Sequence, residues 1–248
     1  MQSSAQLPPP RRVSAIRTLA IKQYHFDQVQ STQDTARELL SDTSLPFLVT
    51  ADEQSAGRGR QGRQWLSPRG NFFASLVVRP DVPPAHYSEY SFLTAVILRD
   101  TIAVFSEQPV TLKWPNDVLA DGKKCAGILI EAEHGSLIIG IGVNLLYAPP
   151  PDVVPYPAAA LNIHDKQKFT SELMIKWTHW HNIYLRDGFS AIRAEWLCRA
   201  HALGHEIAVQ TPHKKLHGIF SGLDDQGNLL LTQGTQAVKV TTADVLVS

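Results

Sequence analysis

The chain has 248 residues, enough for one large domain or for a medium one with a small companion. Lys plus Arg and Asp plus Glu each total 23, so general attraction to nucleic acid or to a membrane surface has no basis in net charge. Cys125 and Cys198 stand far apart outside any C-x-x-C pattern, which excludes a disulfide framework and a cysteine zinc site and points to a reducing cytoplasm.

Residues 1–20 contain Pro8-Pro9-Pro10 and no long apolar run. They are expected to be a flexible leader, neither a signal peptide nor a membrane span. Alternation predicts a strand at 24–29. Ser31-Thr32-Gln33-Asp34 then opens a helix to about 40, with Ser31 or Thr32 as cap and Asp34 suited to the helix's positive end. A strand at 47–51 leads into the densest chemistry of the chain. Residues 57–63 hold three glycines and three arginines, and Gln54 and Trp65 flank them. Glycine lets backbone approach a ligand closely, and arginine offers a planar fork to carboxylate or phosphate. The stretch reads as a mobile loop that wraps an anion.

Gly57, Gly59 and Gly62 also fit G-x-G-x-x-G. A dinucleotide site needs a helix directly after those glycines. Here Ser67-Pro68-Arg69-Gly70 breaks the chain and a strand at 71–78 follows, so the dinucleotide reading fails.

Residues 87–105 have the spacing of a core-packed helix. A strand at 110–114 ends on Lys113-Trp114-Pro115-Asn116-Asp117. Lys113 can meet phosphate there, and Asn116 and Asp117 can position a nucleotide or hold Mg²⁺, or simply satisfy the turn. Asp121-Gly122 joins strands at 118–120 and 123–133, and His134-Gly135 turns into a strand at 136–145. Strict alternation places Lys124 with Ala126, Ile128 and Ile130, a costly face for a lysine that has no anion. It places Gly140, Gly142 and Asn144 together, opposite Ile139, Ile141 and Val143. Paired glycines on one face suggest close approach by a ligand or by another backbone.

Five prolines make 148–157 a loop. Helices are predicted at 169–185, with Leu173, Trp177, Trp180 and Tyr184 as a core stripe, and at 191–202. From Glu206 the chain turns to short strands separated by glycines, as in a small β-barrel of SH3-like size. The expected organisation is a leader at 1–20, a catalytic domain at 21–203 and a small barrel at 204–248. The fold class is α+β.

The five motifs, at 31–34, 54–65, 113–117, 122–129 and 140–144, occur in the order and at spacings that resemble biotin–protein ligases. The resemblance covers residues 24–145, and the C-terminal barrel also fits. It implies a seven-stranded mixed sheet, ATP with Mg²⁺, and biotin activated as biotinyl-5′-AMP. It further implies transfer to a lysine of the biotin carboxyl carrier protein of acetyl-CoA carboxylase, by a monomer or a homodimer.

The resemblance assigns Ser31, Thr32, Gln33 and Gln54 to the biotin ring. Arg58, Gly59 and Arg60 would close over the biotin carboxylate and the phosphate. Trp65 would cover adenine, and Lys124 would touch the reacting carboxylate. Gly127, Gly140 and Gly142 would let biotin lie on the sheet. Arg63, Lys113, Asn116, Asp117 and Asn144 complete the nucleotide side. Arg60 and Lys124 are the expected catalytic pair.

Gln33 stands where many members carry Asn. Only about twenty residues precede the first expected strand, so the winged-helix DNA-binding domain of some members, and with it DNA binding, is not expected. A lipoate–protein ligase of the same fold is the nearest alternative, but the loop joined to K-W-P-N-D favours biotin. A non-enzymatic RNA-binding module is disfavoured by the zero net charge.

Overall fold

A computed structural model describes residues 21–246. The expected leader lies outside the described residues. Seven strands form one sheet: β1 (Lys22–Val29), β2 (Phe47–Gln54), β3 (Phe72–Val78), β4 (Val110–Lys113), β5 (Asp117–Ala120), β6 (Lys123–Glu133) and β7 (Ser136–Val143). Their order is β1-β2-β3-β7-β6-β5-β4, with β1 and β2 parallel and the other pairs antiparallel. Asp121-Gly122 and His134-Gly135 all have positive φ, the twist that two-residue hairpins require.

The two faces of this sheet are dressed differently. Leu76, Leu137, Ile139, Ile141 and Val143 point to one side, where α2 (Glu89–Ile102), α3 (Lys166–Asp187) and α4 (Phe189–Cys198) pack over them. Helix α2 is apolar nearly all round, as a helix enclosed on several sides must be. Helix α3 buries Phe169, Leu173, Trp177 and Tyr184; of the predicted stripe, Trp180 is only partly buried, its indole N–H donating to Asp100 at 2.9 Å.

The opposite face carries only α1 (Thr32–Leu39), over a small cluster of Ala36, Phe47, Val49, Val77 and Ile138. The Ser31 hydroxyl caps α1 by accepting from the Gln33 amide at 3.2 Å. Beyond α1 this face is uncovered by helix, and the functional cavity forms there.

A second, five-stranded antiparallel sheet follows, in the order β11-β10-β9-β8-β12: β8 (Glu206–Gln210), β9 (Lys215–Leu223), β10 (Leu229–Gln233), β11 (Gln236–Val240) and β12 (Asp244–Leu246). It shares the large apolar core with the first sheet. The Trp114 indole N–H donates to the Gly227 carbonyl at 2.9 Å, and a Cβ on Gly227 would fall 2.7 Å from the Phe92 ring. No described helix is long and apolar enough to cross a membrane.

Strict alternation fails at one place that matters. Asp117 pairs with Gly127 and Val118 with Ala126, but Leu119 pairs with Lys124, so Cys125 is an extra residue, a β-bulge. Cys125 and Ala126 both face the helix side and are buried. Lys124 is thereby turned to the other face, corrected from its predicted place beside Ala126 and Ile128.

Candidate active site

The floor of the cavity is the stretch of sheet without side chains. Gly127 on β6 pairs with Gly142 on β7, and Gly140 lies two residues back on the same face. The Trp65 indole rests on the pair. A Cβ on Gly142 would stand 2.5 Å from Trp65 Cε2, and one on Gly127 would stand 2.9 Å from Trp65 Cζ3. A Cβ on Gly140 would meet the Gln33 amide at 3.0 Å. These three glycines are therefore set by close approach and not by φ. The Trp65 Nε1–H is buried and has no hydrogen-bond partner.

One end of the cavity is neutral and rich in amides and hydroxyls. Gln54 Oε1 accepts from the Thr32 amide at 2.8 Å and from the Thr32 hydroxyl at 3.2 Å, while its Nε2 donates to Ser67 at 2.9 Å. Gln33 Nε2 reaches the carbonyls of Leu129 and Ile138, both at 3.4 Å. The Ser75 hydroxyl lies 2.9 Å from Thr32 Oγ1 and 3.0 Å from Gln33 Oε1. Ser75 is fully buried behind this end. The sequence reading missed it, although a hydroxyl inside the apolar run 72–78 is a legible signal.

The other end is cationic. Lys124 Nζ sits 2.6 Å from Asp117 Oδ1, between the rings of Trp65 and Tyr156 at 5.4 and 4.8 Å from their centroids. Lys113 Nζ is 3.6 Å from Asp117 Oδ2. Burial, partly offset by Asp117, pushes the Lys113 ammonium below its ordinary range. Arg60 Nη1 donates to Asn116 Oδ1 at 3.3 Å and lies 3.6 Å from Asp244, while Arg63 reaches Asp244 at 2.9 Å. Burial also lowers the Arg60 pKa, although a guanidinium stays charged.

The stretch at 54–65, expected to be a mobile loop that wraps an anion, folds as a hairpin. Gly59 N–H donates to Arg63 O at 2.7 Å and Trp65 N–H to Gly57 O at 2.9 Å, and the turn at Gln61 and Gly62 has positive φ. The glycines open no α-helix: a single 3-10 turn (Arg60–Gly62) ends on the third glycine and the next regular element is β3, consistent with rejecting a dinucleotide fold.

Residues 25–145 match the biotin/lipoate A/B protein ligase family, and residues 202–248 match the biotin protein ligase C-terminal domain. The biotin–[acetyl-CoA-carboxylase] ligase of Paracoccus denitrificans is 37% identical over 219 residues, covering 82% of this chain and 91% of the relative. The chain belongs to the biotin protein ligases. The corresponding enzyme of Mycobacterium tuberculosis is 31% identical, covering 89% of this chain and 88% of the relative. The fold matches that of the biotin protein ligase from Aquifex aeolicus solved in complex with biotin and ATP, with a TM-score of 0.81 over 91% of this chain and 97% of that one, at 24% identity.

In this ligase fold, every site residue named from the sequence lines the one cavity, with a single exception. Asn144 does not line it. The strand ends at Val143, and the Asn144 backbone N–H donates to Cys125 O at 2.8 Å while its amide donates to Ala159 O at 3.2 Å. Its place is to tie the segment after β7 to β6. Arg58 borders the cavity, but its guanidinium is taken by Asp34, not held open for an anion. Pro155, Tyr156, Gln210, Asp244, Val245 and Leu246 also line the cavity and were not foreseen.

Mg²⁺ needs oxygen donors, commonly one or two carboxylates plus substrate phosphates. The cavity's carboxylates, Asp117 and Asp244, are each engaged by two cations. The described residues thus form no metal cage here, and no step below runs through a metal. The His25, Asp27 and Asp52 group lies on β1 and β2, outside the cavity.

Proposed function

We propose that the chain condenses biotin with ATP to give biotinyl-5′-AMP and then passes the biotinyl group to a specific lysine of the biotin carboxyl carrier domain of acetyl-CoA carboxylase. The observation that carries this reading is the polarity of one cavity. A neutral amide and hydroxyl end faces a cluster of Lys113, Lys124, Arg60 and Arg63 across a glycine floor. A cyclic urea presents one acceptor and two donors, which suits Thr32, Gln33 and Gln54. An extended acyl chain needs a flat apolar surface, which the Trp65 indole, laid on Gly127 and Gly142, offers. The carboxylate then reaches the cations.

In the first step a carboxylate oxygen attacks the α-phosphorus, the bond to the β-phosphate oxygen breaks, and pyrophosphate leaves. Bringing two like charges to 4 Å costs about 4 kcal/mol at an effective dielectric near 20, so the barrier falls when cations stand ready. Lys124 is placed to neutralise the attacking carboxylate, and Arg60, Arg63 and Lys113 to receive the phosphates. In the second step the carrier amine attacks the acyl carbon, AMP departs, and the amine's proton passes to solvent. No side-chain nucleophile is required, and the hairpin with Trp65 shields the anhydride from water.

ATP–pyrophosphate exchange tests this reading. Exchange is expected with biotin and not with lipoate or with ATP alone. Exchange supported by lipoate and not biotin would overturn it.

A further inference from the structure

The arginine nearest the neutral end is tied to helix α1. Arg58 Nη1 donates to Asp34 Oδ2 at 2.5 Å, and Nη2 donates to Oδ1 at 2.8 Å, a two-pronged pair. Asp34 also accepts from Arg37 at 2.6 Å, and Arg37 reaches Glu131 at 2.9 Å and Glu133 at 3.3 Å on β6. The Arg58 guanidinium holds the Asp34 carboxyl below its ordinary range.

The pair closes a ring of contacts. Thr32 binds the Gln54 side chain. The Gly57 backbone presses on Gln54, since a Cβ there would lie 3.0 Å from Gln54 Nε2. Arg58 is the next residue, and Asp34, two residues after Thr32, holds it. The far half of the hairpin is held separately, by Asp244 of the second sheet.

We propose that Asp34 is a positioning residue for biotin: by gripping Arg58 it fixes the backbone at 57–59 over the ring-binding end, while Asp244 grips the arginines of the phosphate-binding half. The proposal rests on the biotin reading above. The Asp34 and Arg58 side chains are 33% and 35% exposed, so the pair contributes little to global stability. Its effect is on order at the loop base.

The test is steady-state pyrophosphate exchange by Asp34→Asn, Asp34→Glu, Arg58→Lys and the Asp34→Asn/Arg58→Lys double variant, with melting temperatures alongside. Asp34→Asn is expected to raise KM for biotin roughly tenfold, the scale of losing a charge-assisted hydrogen bond, with kcat and KM for ATP within about twofold of wild type. Asp34→Glu should recover part of the loss. Arg58→Lys keeps the charge but not the fork, so it should behave like Asp34→Asn, and the double variant should be no worse than either. Unchanged biotin KM in Asp34→Asn, a loss confined to kcat, or additive single effects would overturn the proposal. If Asp34→Asn does not fold, a wild-type biotin KM in Arg58→Lys would do so. Wild-type protein without biotin-dependent exchange would instead sink the biotin reading itself.

Discussion

The two faces of the seven-stranded sheet use the same strands for opposite ends. On β7, Ile139, Ile141 and Val143 enter a core that runs under three helices and into the second sheet, while Gly140 and Gly142 on the other face carry no side chain and let Gln33 and Trp65 lie against the backbone. Stability is concentrated on one side, and the other side is left free for substrate. Core interactions are non-directional and scale with area, so they can be gathered wherever helices fit. A binding floor requires the reverse, an absence of side chains at chosen points.

Matched substitutions on the two faces should separate kinetics from stability. Lys124→Ala, on the substrate side, is expected to slow the adenylation step on the order of 10²–10³-fold, the range seen for losing one preorganised charge stabiliser, with an unchanged melting curve. A wild-type pyrophosphate burst in single turnover would contradict the role given to Lys124. Ile139→Ala, on the helix side, should cost about 2–5 kcal/mol in denaturant unfolding while KM for biotin stays put. If Ile139→Ala raises that KM as strongly as a substrate-side change does, the faces are not independent.

Next in size is a pH effect confined to the helix side. His181, stacked on Trp177 in the seam of α3 with α2, is held by burial at a pKa of about 4. The unfolded chain takes up this proton near its ordinary value while the folded chain resists it. Stability is therefore whole above about pH 6.5 and declines as pH falls toward 4, by about 3 kcal/mol at most. His181→Phe should flatten that part of the melting-temperature profile. An identical slope in the variant would remove His181 as its source.

The smallest effect tests the floor. Gly142→Ala places a methyl within 2.5–2.8 Å of the Trp65 indole, so the ring must shift, whereas Gly140→Ala meets the end of Gln33 at 3.0–3.3 Å. Loss of biotin affinity by several-fold for Gly142→Ala, and by less for Gly140→Ala, is expected by isothermal titration. The reverse order would mean that Trp65 moves more freely than Gln33.

Much of this was legible in the sequence because the underlying rules are local. Hairpin turns at Asp121-Gly122 and His134-Gly135, the cap at Ser31 and the alternation along β7 depend on near neighbours. The motif order identified the family. What escaped notice is set by distant partners. Asp34 read as a helix-dipole residue, and nothing near it says that Arg58 is its counter-ion. Asp244 and Gln210 reach the cavity only because the second sheet docks on the first, and Tyr156 because a proline-rich loop folds back over Lys124. The face of Lys124 was misread because alternation carries no warning of an inserted residue.

That inserted residue has a chemical consequence. Along a regular strand continued back from Ala126, Cys125 would project into the cavity and Lys124 into the core. A thiolate beside an activated acyl phosphate captures the acyl group as a thioester, and the enzyme would label itself. The bulge exchanges the two side chains. Cys125 points inward, its thiol donating to the Val118 carbonyl at 3.4 Å, and burial pushes its pKa up to about 12, so it stays protonated and inert. One extra residue thus turns the ammonium into the cavity and keeps the thiol out of it.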